Sequence, residues 1–482
     1  MNRLFIFAIG GTGARVVRSL ILLLGTGVKI NADEIIPIIL DPDSSNGDLN
    51  RTLDLLNIYK NIKSFLPKKQ NGFFHTKIST LIKGNSEIDD FQFKLEKIQN
   101  LKFRDYISYH SLSEKNKYFM DLLFSENNLN LEMQVGFKGN PNIGSIVLNQ
   151  FKNSSDFKVF ANNFSKGDRI FIISSIFGGT GASGFPLLIK NIRNAEKEVP
   201  NHALIKEAKV GAISVLPYFG IIQEEKSLIE KESFLPKTKS ALDYYEKNIN
   251  SSLDAMYYIG DNVSKDYSNH EGQSSQKNDA HFVELASALG IIDFMEKTDS
   301  ELQRGANFKE FGIRLDTNDI TFDSLGKKTR DTILFPLSGY MFFIKYLELK
   351  LSYSIKRRQT WTIEGEKKID ENFLSLPFYK NYLTSFNNYF KEWLQELGNN
   401  NRSFQPFNLK VSENNLFSLI RGLKEKTGFF NRKNFDAFDT ELNDYVRQIS
   451  DDLTREEKFL NLFEQATINL NQNKYELGVP NA

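Results

Sequence analysis

Apolar runs in this chain come in two lengths, and the lengths separate strands from helices. Leu4 to Ile9, Ile35 to Leu40, Ile170 to Ile176, Lys209 to Leu216 and Ala255 to Gly260 are short, with few polar positions. Such runs read as strands of a parallel sheet, buried on both faces. Ala14 to Leu24, Pro186 to Ile192 and Pro236 to Asn248 read as helices between them, and Ser145 to Phe151 as the start of another. Asp279 to Glu296 is the strongest helix, with apolar positions 282, 285, 286, 289, 292 and 295 at helical spacing. This alternation predicts an α/β fold over residues 1–300, with a doubly wound, mostly parallel sheet. Residues 51 to about 130 are too long for one crossover and read as a helical insert. Beyond about 330 the pattern changes. Leu334 to Ser354, Phe378 to Leu397, Leu416 to Lys424 and Phe435 to Ala466 predict a mostly helical C-terminal domain over 301–482. Its Phe and Tyr stripes read as core rather than as a base-stacking platform.

The turns carry the chemistry. GGTGAR (10–15) follows the first strand, GNPNIG (139–144) precedes a helix, and FGGTGASG (177–184) follows the central strand. A strand feeding a helix through glycines sets bare backbone N–H groups at the positive end of a helix dipole, a place for a phosphate. DPDSS (41–45) puts Asp41 and Asp43 at the carboxyl end of the second strand, where open α/β sheets bind ligands; turn capping by the same acids is the plain alternative. A Walker motif is absent.

Composition narrows the classes. Sixty-one basic residues balance 60 acidic ones, for a net charge of +1, so no global field points to nucleic acid or an anionic membrane. The chain has no cysteine, and its five histidines lack metal-ligand spacing. With no apolar run of membrane-spanning length and no secretory pattern at the start, a soluble, cytoplasmic protein without membrane insertion is expected.

Taken in order, the motifs resemble those of the tubulin/FtsZ superfamily. FGGTGASG resembles the family's signature loop, GGTGAR its first loop, DPDSS the segment ending its second strand, and GNPNIG the loop facing the γ-phosphate. GAISVLPYF (211–219) is similar to the strand before the ribose loop, YYIGDN (257–262) to the strand ending in a base-reading asparagine, and DAHF (279–282) to the start of the central helix. The resemblance implies a GTP/GDP and Mg2+ site. Gly178, Gly179, Thr180, Gly181, Ser183 and Gly184 would wrap the β-phosphate from the signature loop. Gly10, Gly11, Thr12, Gly13 and Arg15 would supply the neighbouring loop, and Gly139 and Asn140 would meet the γ-phosphate. Asp43, beside Asp41, would hold Mg2+. Asn262 would read the base and Phe282 would stack on it. Ala286 stands where the family reads guanine with Asn or Asp.

The same resemblance implies GTP hydrolysis coupled to head-to-tail assembly into cytoskeletal filaments, with a neighbouring copy supplying a catalytic acid. Asp319 and Asp323, in LDTNDITFDSL (315–325), are the candidates, without a clean match to the family's NxDxxD pattern. The family's C-terminal β domain is replaced by the helical region. That leaves a second version, a nucleotide-dependent switch without turnover whose helical domain holds a partner protein. From another class, a Rossmann-type NAD(P)-dependent enzyme fits GGTGAR with Asp41 on a ribose, and His281 or Tyr258 as donor, but does not predict two further glycine loops.

Overall fold

The computed structural model describes residues 2–67, 72–88, 90–96, 98, 100–137, 139–221, 234–262, 266–267, 277–305, 308–311, 318–426, 433–475 and 477. Most of the polar stretch 263–278, and residues 315–317 of the acidic segment, lie outside them.

Seven strands form one sheet: β1 (Arg3–Ile9), β2 (Glu34–Leu40), β3 (Lys77–Ile78), β4 (Arg169–Ser175), β5 (Lys209–Val215), β6 (Ala255–Ile259) and β7 (Phe308–Phe311). Their order across the sheet is β3-β2-β1-β4-β5-β6-β7, and every pairing is parallel. β2 and β4 are buried at every position, as their mostly apolar runs predict. All carboxyl ends share one rim, and the order reverses between β1 and β4, where doubly wound sheets open a crevice.

The principal helices are α1 (Gly10–Gly25), α2 (Gly47–Ser64), α3 (Glu114–Leu123), α4 (Pro141–Leu148), α5 (Ser155–Asn163), α6 (Gly179–Arg193), α7 (Phe234–Asn248), α8 (Phe282–Glu296), α9 (Lys327–Leu349), α10 (Thr384–Gly398), α11 (Asn434–Tyr445) and α12 (Arg455–Tyr475). α1 and α6 begin at their glycines, so both GGTG segments are first helical turns rather than loops ahead of a helix, and Pro186 sits inside α6. Of the stretch 51–130, most of α2 packs on α1, and Lys77–Ile78 extends the sheet.

The C-terminal region is helical with an aromatic core. Phe463 meets Phe343, Tyr346, Trp361 and Phe459 at centroid distances of 5.0, 5.1, 5.4 and 5.0 Å. One element is corrected: Leu416 to Lys424 is not a helix beyond the short turn Leu416–Ser418. Gly422, at φ +86°, takes a left-handed conformation that no α-helix continues through.

Candidate nucleotide site

Three helix N-termini meet on the carboxyl rim. α1, α4 and α6 have Ile9, Asn140 and Gly178 at their N-cap positions, and none of the three caps its helix through a side chain. No acidic residue occupies any of the first turns. The amides that normally satisfy themselves on a Ser, Asp or Asn side chain are thus left for something else. By contrast α2, a few residues away, is capped by Asn46, whose Oδ1 accepts from the amides of Asp48 (2.9 Å) and Leu49 (3.1 Å).

Close approaches show how tightly these turns converge. A methyl group on Gly10 would lie 3.6 Å from Cβ of Thr180, and one on Gly11 would lie 3.8 Å from Nδ2 of Asn46. One on Gly179 would lie 3.1 Å from the backbone nitrogens of both Gly139 and Asn140. The first loop, the signature turn, the GNP loop and the DPDSSNG turn therefore border one another. A bare Gly179 leaves the Gly139 nitrogen uncovered from that side, while the Asn140 amide donates to the Phe137 carbonyl (2.7 Å). Gly139 has φ +73° with nothing within 4 Å of its missing Cβ, and its carbonyl accepts from Nζ of Lys237 on α7 (3.3 Å).

Other glycines of the motifs serve packing. A Cβ on Gly13 would lie 2.7 Å from the Ala8 carbonyl carbon, and one on Gly181 2.6 Å from the Ser175 carbonyl oxygen. Gly184 abuts Ile9 and Leu148. Ser183 is buried and donates to the Gly179 carbonyl (2.6 Å). These residues hold helix to sheet, so that the neighbouring turns stay aligned.

Both acids of DPDSS are buried. Burial pushes the Asp41 carboxyl up to about 7, opposed by the Asp43 amide it accepts and assisted by the like charges of Asp43 and Asp48. Asp43 accepts from the amide and hydroxyl of Ser45 (3.1 and 2.7 Å), which holds the turn closed.

Arg15 is buried and its donors are taken up inside the protein. It donates to Glu284 Oε1 (2.6 Å), Asp48 Oδ2 (2.8 Å), the Tyr218 hydroxyl (2.9 Å) and Thr12 Oγ1 (3.4 Å). Burial opposes its charge, but Tyr218, Glu284 and Asp48 more than offset that and keep the guanidinium protonated. Arg15 thus orients the first loop from behind. The network runs on: Asp48 holds Arg51 (2.6 Å), and Glu396 on α10 accepts from Arg51 and from Arg18 of α1, both at 2.6 Å. Sequence reasoning missed Tyr218, Glu284, Asp48, Arg51 and Glu396. Only Asn46, three residues after Asp43 in a turn-rich segment, carried a local signal.

The base-side residues lie at the end of β6 and the start of α8. Asn262 is exposed at the end of β6, beside Asp261, which is ion-paired with Arg402 (2.7 Å). Phe282 is buried, with its ring 5.5 Å from that of Phe404. Asp319 and Asp323 lie in the C-terminal half, each held by an arginine of the same chain: Arg421 at 2.7 Å and Arg330 at 3.4 Å. Among the described residues no three His, Asp or Glu side chains gather into a metal-binding group, and no helix is long and apolar enough to cross a membrane.

No protein-family model matches the chain. No curated relative matches it either. Among solved structures it is similar to CetZ2 from Haloferax volcanii, described as a GTPγS-bound protofilament (13% identity, TM-score 0.30, 62% of this chain and 61% of that one). It is similar also to FtsZ from M. jannaschii (13%, 0.26, 54% and 46%) and to CetZ from Methanosaeta thermophila (14%, 0.24, 61% and 52%). The chain thus spans about half to three-fifths of the length of the structures it matches.

Proposed function

We propose that this chain binds a guanine nucleotide with Mg2+ on the carboxyl rim of its sheet, at the point where α1, α4 and α6 begin. The carrying observation is the meeting of three helix N-termini with no side-chain cap, glycine-lined and free of first-turn acids. Such a site favours negative charge through both amide hydrogen bonds and helix dipoles. In the arrangement the motifs imply, Gly178–Gly181 and Gly10–Gly13 hold the β- and α-phosphates, and Gly139 and Asn140 meet the γ-phosphate. Asp43 supplies one oxygen to Mg2+. Phosphate oxygens and water would complete the shell of that cation. Arg15 keeps Thr12 in place without spending its charge on the ligand.

Within this reading, hydrolysis is coupled to assembly. A head-to-tail neighbour contributes Asp319 or Asp323 to the γ-phosphate side, and a heterologous contact of that kind propagates into open filaments. A second version, binding without turnover, is favoured by one feature: both acids are ion-paired with arginines of their own chain. GTP turnover followed against protein concentration, with light scattering in the same cuvette, separates the two. Specific activity that rises with concentration and scattering supports the assembling GTPase, and Asp319→Ala and Asp323→Ala then assign the acid. Tight binding with flat, near-zero turnover leaves the switch and removes the filament GTPase.

A further inference from the structure

α3 stands out from every other principal helix. It is ten residues long and none of them is buried. A helix that short is marginal in water on propensity alone, and most helices of its length are held by a packed face. α3 has such a face, but it is turned outward. Tyr118, Phe119, Leu122 and Leu123 are 73, 55, 82 and 51% exposed. Their spacing puts them on one stripe, with Met120 and Asp121 on the other side.

The size of the patch is informative. With roughly 200 Å2 per large apolar side chain, these exposures leave about 500 Å2 of contiguous apolar surface, near the top of what monomers show. Two such patches face to face would bury about 1,000 Å2, enough for a reversible interface and too little for an obligate one.

Charge indicates what covers it. Glu114, Lys115, Lys117 and Asp121 sum to zero over the helix, so it lacks the basic face of a helix that lies on an anionic membrane. The charges are also ordered, with both lysines in the first half and Asp121 in the second. Two copies side by side in parallel would set lysine against lysine. Antiparallel, with the patches centred on each other, Phe119 faces the Leu122 position of the other copy and the two Lys115 side chains lie at opposite ends of the contact. Antiparallel pairing also opposes the two helix dipoles favourably.

We propose that α3 is a self-association surface, through which two copies of this chain pair antiparallel about a twofold axis. The contact is isologous and closes at two, unlike the head-to-tail contact proposed above. It does not depend on nucleotide.

The test is sedimentation equilibrium of the full chain, without nucleotide or Mg2+, between about 1 and 100 µM, the range a contact of this size should occupy. The expected result is a reversible monomer–dimer equilibrium that ends at twice 55.4 kDa. Leu122→Glu should weaken it at least tenfold with unchanged thermal unfolding, because Leu122 packs on little within its own chain. The chain has no cysteine, so Phe119→Cys and Leu122→Cys each introduce a lone thiol. Mixed together, the two should oxidise to a cross-linked heterodimer faster than either alone to a homodimer. A monomer across the whole range would overturn the proposal, as would a dimer that Leu122→Glu leaves intact. Faster homodimer formation by the single-cysteine variants would overturn the antiparallel register.

Discussion

Glu396 joins the C-terminal helices to α1 and α2, and replacing it by glutamine tests that connection. Its carboxylate accepts from Arg18 and Arg51, each at 2.6 Å, and from the amide of Ala280 at 2.9 Å. The Arg18 and Arg51 side chains are only 2 and 9% exposed. Glutamine keeps the shape and one acceptor but turns a donor toward one of the two guanidiniums. Breaking a buried pair from one side costs about 3–5 kcal/mol, since a charge is left without its partner. Glu392, at 4.0 Å from Arg18 and 3.8 Å from Arg51 and 40% exposed, recovers part of that, which places the expected loss near 3 kcal/mol. For a chain of this length unfolding as one unit, that is a fall in Tm of about 3 °C. Calorimetry on both proteins at pH 7 measures it.

The pH dependence of the difference is the sharper check. Burial raises the Glu396 pKa, but Arg18 and Arg51 outweigh it and the net shift is downward. A depressed carboxylate stabilises above its unfolded value near 4.5, and the contribution is lost as pH falls through the lower folded value. The two proteins should therefore converge in acid. A difference under 1 kcal/mol at pH 7, or one that stays constant down to pH 3, would refute the reasoning.

Three further outcomes follow from the same contacts. Gly179→Ala should cut nucleotide affinity about tenfold or more with little change in Tm, because its methyl group meets the Gly139 and Asn140 nitrogens at 3.1 Å while alanine repays about 1 kcal/mol of helix propensity. Gly181→Ala should instead unfold the protein more readily, by about 1–3 kcal/mol in urea titration, since its methyl group strikes Ser175 backbone. Burial pushes the Glu464 carboxyl up to about 7, so stability should be full below about pH 4.5 and fall as pH rises through 7, by up to about 3 kcal/mol; Glu464→Gln should flatten that slope in thermal melts taken from pH 4.5 to 8.5.

The elements that sequence patterning revealed are those whose signal is local. β1, β2, β4, β5 and β6 are short, mostly apolar runs, and each was legible to within a residue or two at its ends. The edge strands β3 and β7 were not, because two and four residues carry no pattern and their pairing is decided by the neighbouring strand. The starts of α1 and α6 were read too late. Glycine has poor helix propensity, yet here the tight approach to Ala8 and Ser175 selects glycine inside the first turn. Leu416 to Lys424 has apolar residues at helical intervals, but Gly422 ends any helix there. The motif glycines lie on the carboxyl rim of the sheet. Their division of labour, with Gly13, Gly181 and Gly184 packing and Gly10, Gly139 and Gly179 bordering neighbouring turns, depends on tertiary contacts, from Gly13 against Ala8 and Gly181 against Ser175 to Gly10 against Thr180. The same holds for Arg15–Glu284 and Arg18–Glu396, whose partners lie 269 and 378 positions away. No spacing rule connects such pairs.

Nucleotide binding by calorimetry is the most direct test of the central claim. GTP titrated into the full chain with Mg2+ should bind at one site per chain, with affinity that falls on Gly179→Ala and on omission of Mg2+, and Asp43→Ala should remove the Mg2+ dependence. A chain that binds neither GTP nor ATP, with Mg2+ or without, would contradict the assignment of these three helix N-termini as a phosphate site.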